Sequence, residues 1–296
     1  KYAIPFVTTW GICDFLDSSH KLNVGRPGIS GQRGANLAVQ NCDTLICIGT
    51  HLNNSITGTL FDAFARDANI IVVDIDKDEL EHIPVKVDLK INCDVNSFLE
   101  SFVSCLSHLK TVDKWWLQRC SNYSRLNDFS AKYANLKDGI NSLYFKKVIS
   151  SKANKNTIFV TDGGGTNVYS SLQACLNKQN QKLLLSTSLC SMGSGIPEAI
   201  GAYFANPKCP IVCFIGDGSF PFNVQELQLV KNLNLPIKFF VLNNNGYTSI
   251  KTTQADFLEN NFIGSTPEKG VHLMNIKNTA ESFNIDFFSL KNHDEM

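Results

Sequence analysis

Short apolar runs that alternate with stretches of helical spacing constrain the fold of this chain more than any other feature. Runs such as "TLICIGT" (44–50), "IIVVDI" (70–75), "TIFVTD" (157–162) and "PIVCFI" (210–215) are the size of β-strands. Strands that alternate with helices are typical of parallel sheets covered by helices. The sequence therefore predicts an α/β protein built on parallel sheets.

The composition argues against several classes of partner. Among 296 residues, Lys plus Arg and Asp plus Glu both number 27, so no net charge favours nucleic acid. No apolar run approaches the roughly 18 residues of a membrane span. The ten cysteines stand singly, without the C-x-x-C pairs of zinc sites, which is typical of reduced thiols. We therefore expect a cytoplasmic protein without nucleic-acid or membrane partners.

Polar residues follow two successive apolar runs in residues 216–246, "GDGSFPFNVQELQLVKNLNLPIKFFVLNNNG". Asp217 lies between two glycines after the first run, and Asn244 follows the second. The order strand, helix, strand predicts a βαβ unit with parallel strands. The carboxyl ends of such strands lie at one edge of the sheet, where α/β proteins bind ligands. We therefore expect the oxygens of Asp217 and Asn244 to face a common point.

The chemistry of these side chains suggests what they bind. Carboxylate, amide and carbonyl oxygens are hard ligands that suit Mg²⁺ or Ca²⁺. Gly216 and Gly218 allow backbone N–H groups to approach a phosphate closely. The residues thus predict a diphosphate site bridged by a metal ion. The alternative is that GDG is only a tight turn and the asparagines only a loop.

The segment between the two strands contains a predicted helix start. Asn223 with Glu226 three residues later is typical of a capped helix N-terminus. The helix that follows is expected to bury Leu227, Val230 and Leu233.

A phosphatase of the haloacid dehalogenase type is an alternative interpretation. "IIVVDIDKDE" resembles the first motif of that family, with Asp74 and Asp76 as the two acids, and a GDG follows later in the chain. The family has a small Gly-Thr-Leu turn where this chain has residues 77–79, "KDE". Asp74 and Asp76 are otherwise interpreted as ordinary acids at a strand end.

Taken together, the motifs resemble the thiamine diphosphate (ThDP) enzymes of the acetohydroxyacid synthase and pyruvate decarboxylase superfamily. The long motif is GDG followed at a distance by NN. "NNNGYTSI" is similar to the decarboxylase version and "SMGSGIPEAIGA" to the synthase version. "GQRGANLAVQNCDTLICIGT" and "IIVVDIDKDEL" resemble the central domain of the family.

The resemblance implies a division into two Rossmann-like, parallel-sheet domains. Residues 1–110 are expected to form an N-terminally truncated central domain, residues 111–140 a helical linker, and residues 141–296 a C-terminally truncated domain that binds the ThDP diphosphate and Mg²⁺. The glutamate that activates the cofactor is expected on a missing N-terminal domain, so no residue of this chain is assigned a catalytic role. The chain alone is then expected to bind cofactor poorly and not to turn over.

The resemblance also implies roles for residues that match the family motifs. Mg²⁺ would be held by Asp217, by the side-chain oxygen of Asn244 and by the backbone carbonyl of Gly246. Met192 matches the apolar residue that supports the bent cofactor. The expected cofactor-binding residues are Gly165, Thr166, Cys190, Met192, Gly216, Gly218, Ser219, Asn245 and Tyr247. Cys190 would act through its carbonyl and not through its thiol.

The implied activity is that of an acetolactate synthase-like lyase or transferase. It would decarboxylate a 2-keto acid and join the product to a second carbonyl, in a homodimer or homotetramer. The alternatives are a ThDP-dependent decarboxylase, a C–C hydrolase acting on a sugar-derived or cyclic diketone, and a non-catalytic diphosphate-binding homologue.

Three departures from the synthase pattern leave the substrate open. Gly165–Thr166 stands where the synthase has Gln-His, and Thr253 stands where it has Trp. Residues 51–55, "HLNNS", replace an Arg-Phe-Asp-Asp-Arg run that helps to hold FAD. FAD is therefore left as an open expectation.

Overall fold

A computed structural model describes residues 2–106, 111–186 and 189–296, without the side chains of residues 130 and 131. The chain divides into two compact units, Lys1–Asp128 and Phe129–Met296. The end of the predicted central domain, residues 107–110, lies outside the described residues.

The strands of the first unit form two small parallel sheets. The strands are β1 (Phe6–Val7), β2 (Asn23–Gly25), β3 (Thr44–Ile48), β4 (Asn69–Asp74) and β5 (Leu89–Asn92). β1 pairs with β2, and the second sheet has the order β3-β4-β5. The helices are α1 (Arg33–Asn41), α2 (Asn54–Thr57), α3 (Lys77–His82), α4 (Val95–Cys105) and α5 (Lys114–Arg125).

The second unit contains a four-stranded parallel sheet with the order β7-β6-β8-β9. Its strands are β6 (Ile158–Thr161), β7 (Lys182–Leu185), β8 (Ile211–Gly216) and β9 (Ile237–Leu242). Its helices are α6 (Ser130–Tyr133), α7 (Ser142–Lys152), α8 (Gly165–Ala174), α9 (Gly195–Ala205), α10 (Leu227–Asn232), α11 (Thr248–Phe257) and α12 (Ile276–Ser282).

Both faces of the two central strands, β6 and β8, are buried in the four-stranded sheet. On one face, Ile215 of β8 packs with Ile196 of α9 and Leu227 of α10. On the other, Phe214 stacks against Phe159 of β6 at 5.9 Å between ring centroids, and Phe145 of α7 meets its edge. Successive side chains of a strand point to opposite faces, so apolar runs without alternation belong to strands buried on both sides. The predicted parallel α/β fold is confirmed.

The predicted linker contributes its first helix to the first unit. Asn127, just after α5, accepts a hydrogen bond from the N–H of Gly34 at 2.8 Å and donates to the carbonyl of Val24 at 2.7 Å. A Cβ at Gly34 would lie 1.9 Å from the carbonyl oxygen of Tyr123, so α1 and α5 touch backbone to backbone. The division into 1–110, 111–140 and 141–296 stays a prediction.

The predicted cap at Asn223 is wrong. Asn223 lies inside a 3₁₀ segment, Phe220–Glu226, with φ of −133°, and α10 begins only after it. Its amide instead donates to the carbonyl of Gly193 at 2.9 Å, a distant partner that local spacing does not reveal. Leu233 is half exposed, at 50%, whereas the other two apolar residues expected to be buried on this helix are buried.

Candidate functional site

The structure brings Asp217 and Asn244 together at the carboxyl edge of the four-stranded sheet. β8 and β9 are adjacent, and the N–H of Asp217 donates to the carbonyl of Leu242 at the end of β9. The Asp217 carboxylate oxygen Oδ2 accepts hydrogen bonds from the backbone N–H groups of Asn244, at 2.9 Å, and Asn245, at 2.7 Å. Parallel pairing thus joins two motifs that are distant in sequence.

The Asp217 carboxylate is almost fully buried, at 4% exposure, and its backbone partners compensate for that burial. The second oxygen, Oδ1, accepts from the N–H of Gly218 at 2.8 Å. A buried carboxylate is costly unless such bonds satisfy it, and bonds to a charged group contribute about 1.5–3 kcal/mol each. Oδ1 accepts only this one bond in the described structure, which leaves it a lone pair for a further partner.

The turn after β9 requires the residues that the sequence places there. Asn245 adopts φ of +58°, a left-handed conformation that asparagine tolerates better than most residues. Gly246 has φ of +140°, and a Cβ there would lie 2.4 Å from the carbonyl oxygen of Ser265. The next residue, Tyr247, donates its N–H to the same carbonyl at 3.1 Å. Its ring packs on Gly218, where a Cβ would lie 2.5 Å away.

Asp162 links two further loops at the same edge. It follows β6 and is fully buried. Its Oδ1 accepts from the N–H of Gly164 at 3.2 Å, and its Oδ2 accepts from the N–H groups of Gly193 and Gly195, both at 2.9 Å. Asp162 was not singled out from the sequence. The sequence pattern that could have identified it is an acid after an apolar run and before three glycines, which is similar to the GDG motif.

Met192 and Cys190 lie in the loop that Asp162 holds. Met192 is 36% exposed although the peptide that follows it is buried. Cys190 has φ of +46°, and its thiol donates to the carbonyl of Ser186 at 3.3 Å. Burial raises the pKa of the Cys190 thiol. Because thiolates and not thiols are nucleophilic, this residue is a poor nucleophile.

The first turn of α8 is tied to the first turn of α11. The N–H of Thr166 donates to Oγ of Ser249 at 3.2 Å, and the two hydroxyl oxygens are 3.0 Å apart. Thr166 follows Gly165, and Ser249 lies two residues after Tyr247.

Ser219 is buried and donates its N–H to the carbonyl of Gly216 at 3.1 Å. All twelve residues expected to bind cofactor or metal therefore lie in strand ends, loops or helix starts at this edge.

The oxygen donors at this edge fit a hard divalent cation. The described residues contain no cluster of three or more His, Cys, Asp or Glu side chains suited to a metal ion. The available donors are the carboxylate of Asp217, the exposed side chain of Asn244 and backbone carbonyls. Such a set is too small to enclose a cation, and Mg²⁺ usually combines one or two carboxylates with phosphate oxygens and water.

A buried lysine lies behind this edge and was not singled out from the sequence. Lys146 of α7 is fully buried, and its ammonium donates to the backbone and side-chain oxygens of Asn167 at 2.6 and 2.5 Å. It also donates to Ser170 and Ser171, each at 2.8 Å. Desolvation by burial lowers the pKa of Lys146 to about 7. The amide of Asn167 in turn donates to the carbonyl of Phe214 in β8 at 2.7 Å.

The phosphatase interpretation is wrong. Oδ1 of Asp76 accepts from the N–H groups of Asp78, at 2.9 Å, and Glu79, at 3.3 Å, which makes it the cap of α3. Asp74 accepts from the N–H of Asp76 at 3.0 Å. These acids follow a strand of the three-stranded sheet, whereas Asp217 follows a strand of the four-stranded sheet. The acids that such a phosphatase needs on one sheet are therefore on two.

The segment that replaces the FAD-binding run has structural roles. Leu52 is buried in the core of the first unit, and Oδ1 of Asn53 caps α2 by accepting from the N–H of Ser55 at 2.9 Å. Nδ1 of His51 lies 2.6 Å from Oε1 of Glu79. His51, Leu52 and Asn53 thus each have a contact within the first unit.

None of the helices in the described part of the chain is both long and apolar enough to cross a lipid bilayer. The ten cysteines are all free.

The curated proteins that are similar to this chain include several acetolactate synthase subunits. The chain is 30% identical over 251 residues to acetolactate synthase isozyme 2 large subunit of Escherichia coli (strain K12), which is 85% of this chain and 44% of that subunit. It is 32% identical over 276 residues to acetolactate synthase large subunit of Cyanidium caldarium, which is 90% of this chain and 45% of that subunit. It is 33% identical over 247 residues to a probable acetolactate synthase large subunit of Methanocaldococcus jannaschii, which is 81% of this chain and 41% of that subunit.

The chain spans less than half the length of each of these three relatives. The family described as thiamine pyrophosphate enzyme, central domain, matches residues 1–102. The family described as thiamine pyrophosphate enzyme, C-terminal TPP binding domain, matches residues 162–296 and contains the whole candidate site. Thiamine pyrophosphate is another name for ThDP. The chain belongs to the thiamine pyrophosphate enzymes.

Proposed function

We propose that the protein containing this chain is a ThDP- and Mg²⁺-dependent enzyme that decarboxylates a 2-keto acid and joins the product to a second carbonyl compound, as an acetolactate synthase does. The observation that carries the proposal is the meeting of Asp217 with Asn244 at the ends of adjacent parallel strands. The matched TPP-binding domain and the acetolactate synthase relatives support it.

In this proposal Asp217, Asn244 and Gly246 supply oxygen ligands to Mg²⁺. Asp217 offers Oδ1, Asn244 its exposed amide, and Gly246 its backbone carbonyl. These few donors would be enough to hold Mg²⁺, which usually combines one or two carboxylates with phosphate oxygens and water and would offset the charge of a diphosphate. In this proposal Gly216, Gly218 and Ser219 contact the diphosphate itself, since backbone without a Cβ lets phosphate oxygens come close and Ser219 supplies its hydroxyl.

The loops around the diphosphate position the remainder of the cofactor. Met192 would offer an apolar surface to the cofactor, and the carbonyl of Cys190 would accept a hydrogen bond from the cofactor. Gly165, Thr166, Asn245 and Tyr247 line the same edge. When bound, ThDP accepts the electrons that are released as the substrate carboxylate leaves as CO₂.

The same proposal includes the surroundings of the enzyme. The glutamate that activates the cofactor lies outside this chain, and the active protein is a homodimer or homotetramer in the cytoplasm. The free cysteines support a reducing compartment. FAD is not part of the proposal, because residues 51–55 have structural contacts of their own.

The test is cofactor-dependent release of CO₂ by the complete protein encoded by the gene. Pyruvate and larger 2-keto acids are supplied with and without ThDP and Mg²⁺, and the organic product is identified. Asp217→Ala should abolish the activity, whereas Asp74→Asn, which changes an acid of the other sheet, should leave it intact. An acetolactate-type product supports the proposal, and an aldehyde favours a simple decarboxylase. ThDP binding without any CO₂ release would favour the non-catalytic homologue.

A further inference from the structure

Residues 189–194, the described residues of the loop next to Met192, have little apolar packing of their own. Leu189 is 83% exposed and Met192 is 36% exposed, whereas Gly193, the next residue, is buried. A loop with exposed apolar side chains gains little from burial, so its position depends on the hydrogen bonds of its peptide groups.

Both polar groups of Gly193 are bound by side chains from different strand ends. Its N–H donates to Oδ2 of Asp162, after β6, at 2.9 Å. Its carbonyl accepts from Nδ2 of Asn223, after β8, at 2.9 Å. β6 and β8 are the two central, adjacent strands of the sheet. The loop is therefore fixed from two sides to the centre of the sheet.

The position of Gly193 leaves little freedom for any other arrangement. Gly193 has φ of +89°, and a Cβ there would lie 2.5 Å from Cβ of Phe222, the neighbour of Asn223. Asp162 also accepts from the N–H of Gly195, the first residue of α9, and is itself held by donating its N–H to the carbonyl of Phe214 at 2.9 Å. The backbone of the loop at Gly193 is thus packed against the side chain of Phe222 in the 3₁₀ segment.

We propose that Asp162 and Asn223 are positioning residues that clamp the Gly193 peptide and thereby hold Met192 against the cofactor. The inference rests on the proposed function, in which Met192 contacts ThDP. The clamp acts on the loop and not on the diphosphate, whose expected partners are Asp217, Gly218 and Ser219. Loss of the clamp should therefore weaken the binding of whole ThDP and spare the binding of inorganic diphosphate with Mg²⁺.

The experiment measures the affinity of the complete protein for two probes, ThDP with Mg²⁺ and inorganic diphosphate with Mg²⁺, by calorimetry. Asn223→Ala removes the amide nitrogen that donates to Gly193, together with the amide oxygen that accepts a hydrogen bond from Gln225 at 3.3 Å near the surface. We expect about a fivefold to tenfold loss of ThDP affinity, the effect of one lost hydrogen bond, and less than about a twofold change for diphosphate. Asn232→Ala is the matched control, because that exposed asparagine only accepts from Gln228 on its own helix.

Two further variants keep the test decisive. Asn223→Leu keeps a similar side-chain volume without a donor and should lose ThDP affinity as Asn223→Ala does, whereas a merely space-filling role predicts recovery. Asp162→Asn replaces one acceptor oxygen by a donor and should show the same selectivity for ThDP. Equal losses for both probes, or no loss for either, would overturn the clamp while leaving the proposed function standing. If the unmodified protein binds diphosphate with Mg²⁺ but not ThDP, the proposed function itself fails.

Discussion

The Asp217 carboxylate accepts a hydrogen bond of 2.9 Å from the backbone N–H of Asn244, a residue 27 positions further along the chain. The bond joins the carboxyl end of β8 to the turn that follows β9 and fixes the position of that turn. Asp217 thus holds the turn of Asn244 and Asn245 through Oδ2. In the proposed function it also offers a lone pair of Oδ1 to the cation of a bound diphosphate.

Asp217→Asn should both destabilise the protein and abolish the binding of Mg²⁺ and diphosphate. An amide has one acceptor oxygen and one donor nitrogen, so in either orientation its nitrogen faces a backbone N–H. We expect the free energy of unfolding to fall by about 2 kcal/mol, measured by urea denaturation. Asp256→Asn, at an exposed position of α11, should leave both quantities unchanged. A fully stable Asp217→Asn protein would contradict the anchoring role.

Gly246→Ala and Gly216→Ala should separate folding from binding. At Gly246 a Cβ would approach the Ser265 carbonyl to 2.4 Å at a φ of +140°, so we expect a loss of about 1–3 kcal/mol in the free energy of unfolding. At Gly216 nothing lies within 4 Å of a Cβ, so stability should be unchanged. Diphosphate affinity should nevertheless fall in Gly216→Ala, because the added methyl group keeps phosphate away from the backbone. Normal affinity in that variant would remove Gly216 from the site.

Lys146 predicts a pH-dependent stability. Its pKa is about 7 in the folded protein and about 10.5 for an ordinary lysine, and Cys175 and Cys213 are the titratable groups that act on it. Between these pH values the unfolded chain binds a proton that the folded chain does not. The free energy of unfolding should therefore rise with pH above about 7, by up to about 1.4 kcal/mol per pH unit, and this contribution is lost as pH falls through 7.

The measurement compares Lys146→Met with the unmodified protein by urea denaturation at several values from about pH 6 to about pH 9, on either side of the lysine pKa. Taking the difference cancels the titration of the groups that do not interact with Lys146. The methionine variant, which has nearly the same length and no charge, should lack the rise. Parallel pH profiles for the two proteins would show that Lys146 does not titrate in this range.

Asp76→Ala should lower stability without affecting the cofactor site. The side chain caps α3, and loss of such a cap costs about 1 kcal/mol. ThDP affinity should be unchanged, because Asp76 and Asp217 belong to different sheets. Asp67→Ala, at a side chain that is 81% exposed, is the control and should change neither quantity. Loss of ThDP binding in Asp76→Ala would show that this acid has a role beyond capping.

The parallel fold and the meeting of Asp217 with Asn244 were predictable from sequence because they follow from local patterns. Apolar runs separated by helices specify parallel strands, and the βαβ topology brings the ends of those strands to one edge. The cap at Asn53, within residues 51–55, is local in the same way, because its side chain caps the helix that begins at the next residue.

The residues that could not be identified from sequence have partners that are distant along the chain. Asn223 is followed three residues later by a glutamate, as a cap would be, but its amide binds the carbonyl of Gly193, 30 residues earlier. Asp162 binds N–H groups 31 and 33 residues later. Lys146 has the spacing of an ordinary helix residue, and only packing shows that it is buried. No local spacing records such contacts.

The affinity of Asn244→Ala for ThDP, titrated with Mg²⁺ by calorimetry, tests the central claim most directly. The Asn244 side chain is exposed, and its backbone N–H, which Asp217 binds, survives the substitution. The variant should therefore unfold at the same urea concentration as the unmodified protein. We predict at least about a tenfold loss of Mg²⁺-dependent ThDP affinity, as expected for the loss of one direct ligand. An unchanged affinity in a normally folded Asn244→Ala protein would contradict the claim that this amide is a ligand of the cation.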